Sequence, residues 1–258
     1  MIHVVEGTAP LVISFPHVGT GIPADMAAGM TEHGRAVADT DWHVEKLYAF
    51  ARDQGVSWIE PTLSRYVVDL NRPPDDAALY PGQVSTGLCP EATFDGHPLY
   101  VGSSPDGEEV ARRRELYWRP YHEGLQNLLD ATVERYGYAV LLDAHSIASR
   151  VPRLFEGRLP DLNVGTNDAR SCGIGLGEAV YAAAAGGPFS AILNGRFKGG
   201  FITRHYGSTR GPVHAVQLEI GQLTYLDEGS TIWSPSRAAG LVTVLKSIVA
   251  VMLGWRPG

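Results

Sequence analysis

The chain has 258 residues, 44% of them hydrophobic, enough to bury a large core in one α/β domain spanning 1–258. Its 21 Lys and Arg against 28 Asp and Glu leave a formal charge of −7 with no basic run, which argues against a nucleic-acid surface and leaves any anionic ligand to a few local arginines. Cys89 and Cys172 stand far apart outside any CxxC pattern, and the N-terminus has no charged segment followed by an apolar stretch; a reducing, cytoplasmic setting is the simplest reading.

Leu11 to Phe15 is an apolar run that reads as a buried strand, opening into the loop Pro16-His17-Val-Gly19-Thr-Gly21. The glycines let the backbone turn tightly beside whatever His17 touches, and the loop fits neither GxxxxGK[ST] nor GxGxxG, which disfavours a phosphate cradle. Val44, Leu47, Tyr48 and Ala51 then repeat at helical spacing, predicting an amphipathic helix that stops at Gly55. Asp41 falls at or just before its first turn, where a carboxylate serves equally as an N-cap or as a metal ligand on a rigid helix start.

Ser57 to Glu60 and Tyr66 to Leu70 read as short strands, the second closed by Asn71-Arg72-Pro73-Pro74. Residues 75–104 are rich in Pro, Gly and Asp, as in an active-site cover or a mobile loop. Asp106-Gly-Glu-Glu109 is a capping box for a long helix toward Tyr136, kinked or divided at Pro120, with Tyr117, Tyr121, Leu125, Leu128 and Thr132 as its inner stripe. His122 and Arg112 to Arg114 are expected on its solvated face.

Tyr138 to Asp143 is a continuous apolar run breaking into an acid, His145 and Ser146. A strand buried on both faces belongs in a helix-covered sheet, and ligands gather beyond the carboxyl ends of such strands. His145 is either a hydrogen-bonded structural histidine or part of that site. Residues 160–173 are expected to be irregular, 175–185 a helix, 189–193 a strand ending at Asn194-Gly195-Arg196, and 199–207 a glycine-flanked turn carrying Arg204, His205 and Tyr206. The strand around Val216 to Ile220 carries Glu219, where an acid in an apolar context needs a partner or a job. Ser234-Pro235 opens a final helix to about Gly254, a packed surface helix and not a membrane span.

Five short motifs in one order, Ser14-Phe-Pro-His17-Val-Gly19, Asp39-Thr-Asp41-Trp-His43-Val, Asp69-Leu-Asn71-Arg72, Leu142-Asp-Ala-His145-Ser146 and Gln217-Leu-Glu219-Ile, closely resemble the N-formylglutamate amidohydrolases of histidine degradation, from about residue 3 to residue 250. The resemblance implies a hydrolase-like, three-layer α/β/α fold of the zinc carboxypeptidase and aspartoacylase type, with a mixed central sheet. It further implies a small dicarboxylate substrate and a Zn²⁺ or other divalent ion on His17, His145 and a third ligand. Zinc carboxypeptidases use a His-x-x-Glu pair, but here Thr20 stands three residues after His17. Asp41 is the chosen third ligand, with His43, Asp39 and Glu45 as competitors.

Two imidazoles and one carboxylate leave an open coordination position for water, as catalytic zinc requires. Glu219 is assigned as the proton carrier, with a buried salt-bridge acid as the alternative. Two forked guanidiniums suit a doubly charged substrate, and Arg72 and Arg204 are assigned to them, with Asn71 and Asn194 as neutral partners and Arg65 and Arg210 as substitutes. Competing functions are a zinc amidohydrolase for another acylated acidic amino acid, a carboxypeptidase-like peptidase, and a non-catalytic anion-binding protein; a Ser-His-Asp hydrolase is disfavoured because no GxSxG elbow occurs. Oligomeric state leaves no trace in these residues.

Overall fold

The computed structural model describes residues 2–77 and 86–258. One mixed sheet of seven strands organises it: β1 (Ile2–Val5), β2 (Leu11–Ser14), β3 (Ser57–Pro61), β4 (Ala139–Ile147), β5 (Leu162–Gly165), β6 (Ala191–Leu193) and β7 (Val213–Gly221), in spatial order β1-β3-β2-β4-β7-β5-β6. β3, β2, β4 and β7 run parallel, so their carboxyl ends share one edge; β1 and β5 run antiparallel to β3 and β7. All nine residues of β4 are buried, because helices cover both faces.

Side chains alternate across a strand, and that alternation sorts the layers. Beyond the short helices α1 (Ala24–Ala27) and α2 (Glu32–Arg35), Val140, Leu142, Val216, Leu218 and Ile220 pack with α3 (Val44–Leu47), α6 (Leu176–Ala185) and α8 (Pro235–Gly254). Ala139, Leu141 and Ala215 face the other way, onto α5 (Arg119–Tyr136) and α7 (Phe201–Tyr206). On this second face the strands turn polar toward their carboxyl ends: Asp143 and His145 follow Leu141, and Gln217 and Glu219 follow Ala215. Register sets His145 beside Glu219, and Asp143 beside Gln217 and Ser14. This polar patch at the end of an apolar face is the floor of the site described below.

Several expectations are corrected. Tyr66 to Leu70 is a buried turn, not a strand, because polar side chains claim its backbone. Asp69 Oδ1 accepts from the Asn71 amide (2.9 Å), the Asp69 amide donates to Leu88 O (2.7 Å), and Arg65 pairs with Asp69 one helical turn on. The helix expected up to Gly55 is only α3 followed by a 3₁₀ turn, Ala49–Gln54; Gly55 ends it in the left-handed region as expected. His43, at φ 60°, occupies the cap position of α3, so Asp41 is not an N-cap.

The helix from the Asp106 cap divides into α4 (Gly107–Arg113), a π-helical turn (Arg114–Trp118) and α5, with Pro120 in the first turn of α5, where its missing N–H is harmless. His122 and Arg113 are not on a solvated face. His122 bonds Leu70 O and the Tyr206 hydroxyl, and Arg113 bonds Glu109, Val67 O and Tyr100. β5 lies within the stretch expected to be irregular, and the expected turn at 199–207 contains α7. α8 is long and apolar enough to cross a membrane by length and composition, yet its Leu241, Leu245, Ile248 and Met252 stripe is buried in the core.

Candidate active site

The loop after β2 brings His17 over the floor. Only glycine fits at position 19, where a Cβ would stand 2.2 Å from Leu63 O. The Asp41 amide donates to His17 O (3.0 Å), tying the two segments together. His17 Nε2 lies 2.7 Å from Asp69 Oδ1, and Arg65 holds the other Asp69 oxygen at 2.6 Å. Burial alone would raise the Asp69 carboxyl, but Arg65 and then His17 outweigh it and hold it well below the usual range. His17 Nδ1 is buried and has no hydrogen-bond partner among the described residues.

His145 is bracketed by carboxylates. Its Nδ1 lies 3.0 Å from Asp41 Oδ2 and its Nε2 3.1 Å from Asp143 Oδ1, with the Asn71 amide nitrogen 2.8 Å from the same Nε2. Asp41 Oδ2 also accepts from the Ser146 amide (3.1 Å) and stands 3.8 Å from His17 Nδ1. One ligand atom from each of His17, Asp41 and His145 therefore falls within 4.8 Å of the others.

The donor set fits a divalent metal ion. It offers two imidazole nitrogens and a carboxylate oxygen, and the Nε2 of each imidazole rests on a second carboxylate, Asp69 or Asp143, as ligating histidines require. The orphaned His17 Nδ1 is the atom such an ion would satisfy. Burial, then Arg65, push the His17 pKa down, favouring the neutral ligand form. Burial also works to lower His145, but Asp143 and Asp41 overcome it and raise its pKa well above the ordinary value. The competing third ligands lie elsewhere. His43 contacts Thr231 O, Asp39 accepts from the Phe94 amide, and Glu45 sits on α3 outside the cluster.

Glu219 faces the same cleft, which encloses about 650 Å³, part of it open to solvent. Burial pushes its pKa up to about 8; His145 opposes the rise and Asp41 adds to it. Gln217 holds it from two residues away on the same strand face, donating to Oε2 (3.3 Å) while its own oxygen accepts from the Gly200 amide (2.7 Å).

The expected substrate-binding residues divide. Arg72 lines the cleft, its Nε and Nη2 on the oxygens of Thr86 (2.8 and 2.9 Å). Asn71 lines it too, but its amide is engaged with Asp143, His145 and the Ile202 amide, so it orients the histidine. Asn194 and Arg204 do not line the cleft. Asn194, in the left-handed region at φ 52°, brackets Thr166 through both side-chain atoms, and Arg204 donates to Gly199 O from the last turn of α7. Arg65 lines the cleft, whereas Arg210 lies exposed in the turn after α7.

Sequence reasoning passed over Gln217, Phe94 and Arg196, all of which line the cleft. Gln217 was visible as the residue two before Glu219 on one strand face. Arg196 stood directly after the Asn194-Gly195 strand end. Phe94 gave no signal in its irregular loop.

An α/β fold that gathers two imidazoles, a carboxylate and a buried acid at the ends of parallel strands defines a hydrolase built around a candidate metal centre. Residues 9–226 match the N-formylglutamate amidohydrolase family. N-formylglutamate deformylases of Pseudomonas aeruginosa and Pseudomonas putida are 48% and 47% identical to this chain, each over 97% of it and over 95% and 94% of their own lengths. The crystal structure of N-formylglutamate amidohydrolase from Ralstonia eutropha superposes with a TM-score of 0.81 at 25% identity, covering 98% of this chain and 95% of that one. The chain belongs to the N-formylglutamate amidohydrolase family and is a hydrolase of a carbon–nitrogen amide bond.

Proposed function

We propose that residues 1–258 form one catalytic domain that hydrolyses N-formyl-L-glutamate to L-glutamate and formate, the last step of a histidine degradation route. The metal ligands are His17, Asp41 and His145, the cofactor Zn²⁺, and the compartment the cytoplasm, where the buried free thiols of Cys89 and Cys172 would persist. The observation that carries the proposal is the placement of Glu219 beside His145 in the β4–β7 register, in the cleft that His17 and Asp41 also line.

A divalent ion bound there supplies Lewis acidity, lowering the pKa of water to about 7 and polarising a carbonyl oxygen. Glu219 takes a proton from the attacking water and returns it to the departing amine nitrogen, a contribution of roughly 10²-fold to 10⁴-fold. Burial, which raises the Glu219 carboxyl, favours its taking up the proton that it then returns. Asn71 and Asp143 hold His145, while Asp69, itself paired with Arg65, holds His17, so both imidazoles keep their orientation throughout. Arg72, held in place by Thr86 and the Asn71 carbonyl, offers its charge and remaining N–H groups to one carboxylate of the substrate.

Formate release from N-formyl-L-glutamate, measured beside N-acetyl-L-aspartate and N-acetyl-L-glutamate with and without chelator, tests the proposal. Preferred, chelator-sensitive turnover of the formyl compound supports it. Preference for an acetylated substrate would reassign the acyl group, and ligand retained unchanged would make the protein a binder.

A further inference from the structure

A substrate with two carboxylates needs two holders, and with Arg204 outside the cleft only Arg72 has been assigned. We propose that Arg196 reads the substrate's side-chain carboxylate, with the two intervening methylenes lying along an apolar wall of Ile147, Leu154 and Phe197. This rests on the N-formylglutamate reading of the site.

Among the described residues, three arginines and no lysine line the cleft: Arg65, Arg72 and Arg196. Arg65 is committed to the metal cage, 2.6 Å from Asp69 and 3.9 Å from Asp41, with its side chain only 7% exposed. Turning it toward a substrate would strand a buried carboxylate under His17. Arg72 stands next to Asn71, which touches His145, so its carboxylate is the one nearer the reacting amide.

Arg196 has the surroundings that the far end of glutamate requires. Its Nε donates to Leu154 O at 2.9 Å, which fixes one edge of the guanidinium plane, and its guanidinium carbon lies 5.3 Å from the Phe197 ring centre. Ile147, Leu154 and Phe197 belong to one apolar cluster and also line the cleft. A methylene stem gains by leaving water on that wall, and a carboxylate at its end meets a fixed positive charge.

The backbone beneath Arg196 is held firmly. Asn194 takes the Thr166 amide on its side-chain oxygen (2.8 Å) and gives its amide to Thr166 Oγ1 (2.8 Å); the Asn167 amide donates to Lys198 O (2.5 Å). Two residues on, the Gly200 amide donates to Gln217, the holder of Glu219. The segment 196–200 thus links the proposed carboxylate reader to the acid that carries the proton. Asn194 acts in this arrangement as a positioning residue, through backbone and not through substrate.

The test is steady-state kinetics of the zinc-loaded wild type, Arg196→Gln and Arg196→Lys on N-formyl-L-glutamate and N-formyl-L-glutamine, which differ only in side-chain charge. Calorimetric binding of L-glutamate and L-glutamine to each protein accompanies it. Arg196→Gln should raise KM for the glutamate compound about tenfold to a hundredfold, as expected for a lost charge-assisted pair. It should leave kcat and the glutamine compound within about threefold, so that the preference collapses. Arg196→Lys, which keeps the charge without the fork, should fall between and guards against misfolding of the first variant.

Preference retained in both variants, or KM raised equally for both substrates, overturns the assignment of Arg196 while leaving the deformylase reading intact. A wild type that releases no formate from N-formyl-L-glutamate overturns both.

Discussion

Asp69→Asn probes the cage from behind. Asp69 is fully buried, takes His17 Nε2 and the Asn71 amide on one oxygen and holds Arg65 at 2.6 Å on the other. If the new carbonyl keeps the first pair of bonds, the new amide group must face the Arg65 guanidinium, donor against donor. Arg65 is then left with Asp41 at 3.9 Å as its remaining carboxylate within reach. Breaking a buried ion pair from one side costs about 3–5 kcal/mol. For a chain of 258 residues, the unfolding entropy per residue turns that into a fall in Tm of roughly 6–10 °C. Because Asp69 also orients the proposed ligand His17, zinc affinity should drop roughly 10- to 100-fold.

Differential scanning calorimetry of the metal-free protein measures the first effect, and competition with a fluorescent chelator the second. Adding Arg65→Met should recover part of the stability loss, since removing both members of a buried pair is milder than removing one. A metal-free Tm within about 2 °C of wild type, together with unchanged zinc affinity, would refute the reasoning.

Glu219→Gln should keep full zinc occupancy by elemental analysis while turnover falls roughly 10²-fold to 10⁴-fold; equal loss of both would make Glu219 a ligand. Gly200→Ala would put a Cβ 2.4 Å from the Asn71 amide nitrogen, so kcat and zinc affinity should both fall, and unaltered kinetics would free Asn71 from its role in holding His145. Arg72→Ala should raise KM for N-formyl-L-glutamate with little effect on zinc content; an unchanged KM would take Arg72 out of the substrate pocket. Burial lowers the His122 pKa from 6.5 to about 3, so below pH 6.5 the unfolded chain binds a proton that the folded one refuses. Its contribution is therefore complete above pH 6.5 and erodes toward pH 3, by up to ~1.4 kcal/mol per pH unit. Urea unfolding at pH 6.5 and 4.5 should show a larger loss for wild type than for His122→Gln, and parallel losses would show that His122 does not carry the effect.

The strands and helices that carry the core were legible because their periodicity is enforced by burial: β4, β7, α6 and α8 fall where their apolar patterns put them. Tyr66 to Leu70 was misread because its β-branched and aromatic residues fit a strand, while what decides its shape is the side-chain chemistry of Arg65 and Asp69. At the site, residues near or just past the carboxyl ends of strands stood out in the pattern, His145 and Glu219 within the last residues of β4 and β7 and His17 in the loop after β2. Arg204 was assigned to the substrate and Arg196 was given no role, although both are charges in glycine-flanked segments that read alike. Which of the two reaches the cleft depends on α7 turning Arg204 back onto Gly199, a tertiary fact.

His145 and Glu219 are partners in the ladder between two adjoining parallel strands, so the gap between them is set by inter-strand hydrogen bonding and not by any adjustable loop. Sliding either strand by one residue would turn its own polar residues to the opposite side of the sheet and split both pairs. What can change without disturbing that pair is the rest of the cleft wall, the segments around Phe94, Leu154 and Arg196 that lie outside these two strands. New specificities should arise there by insertion or exchange, with the chemical step left untouched.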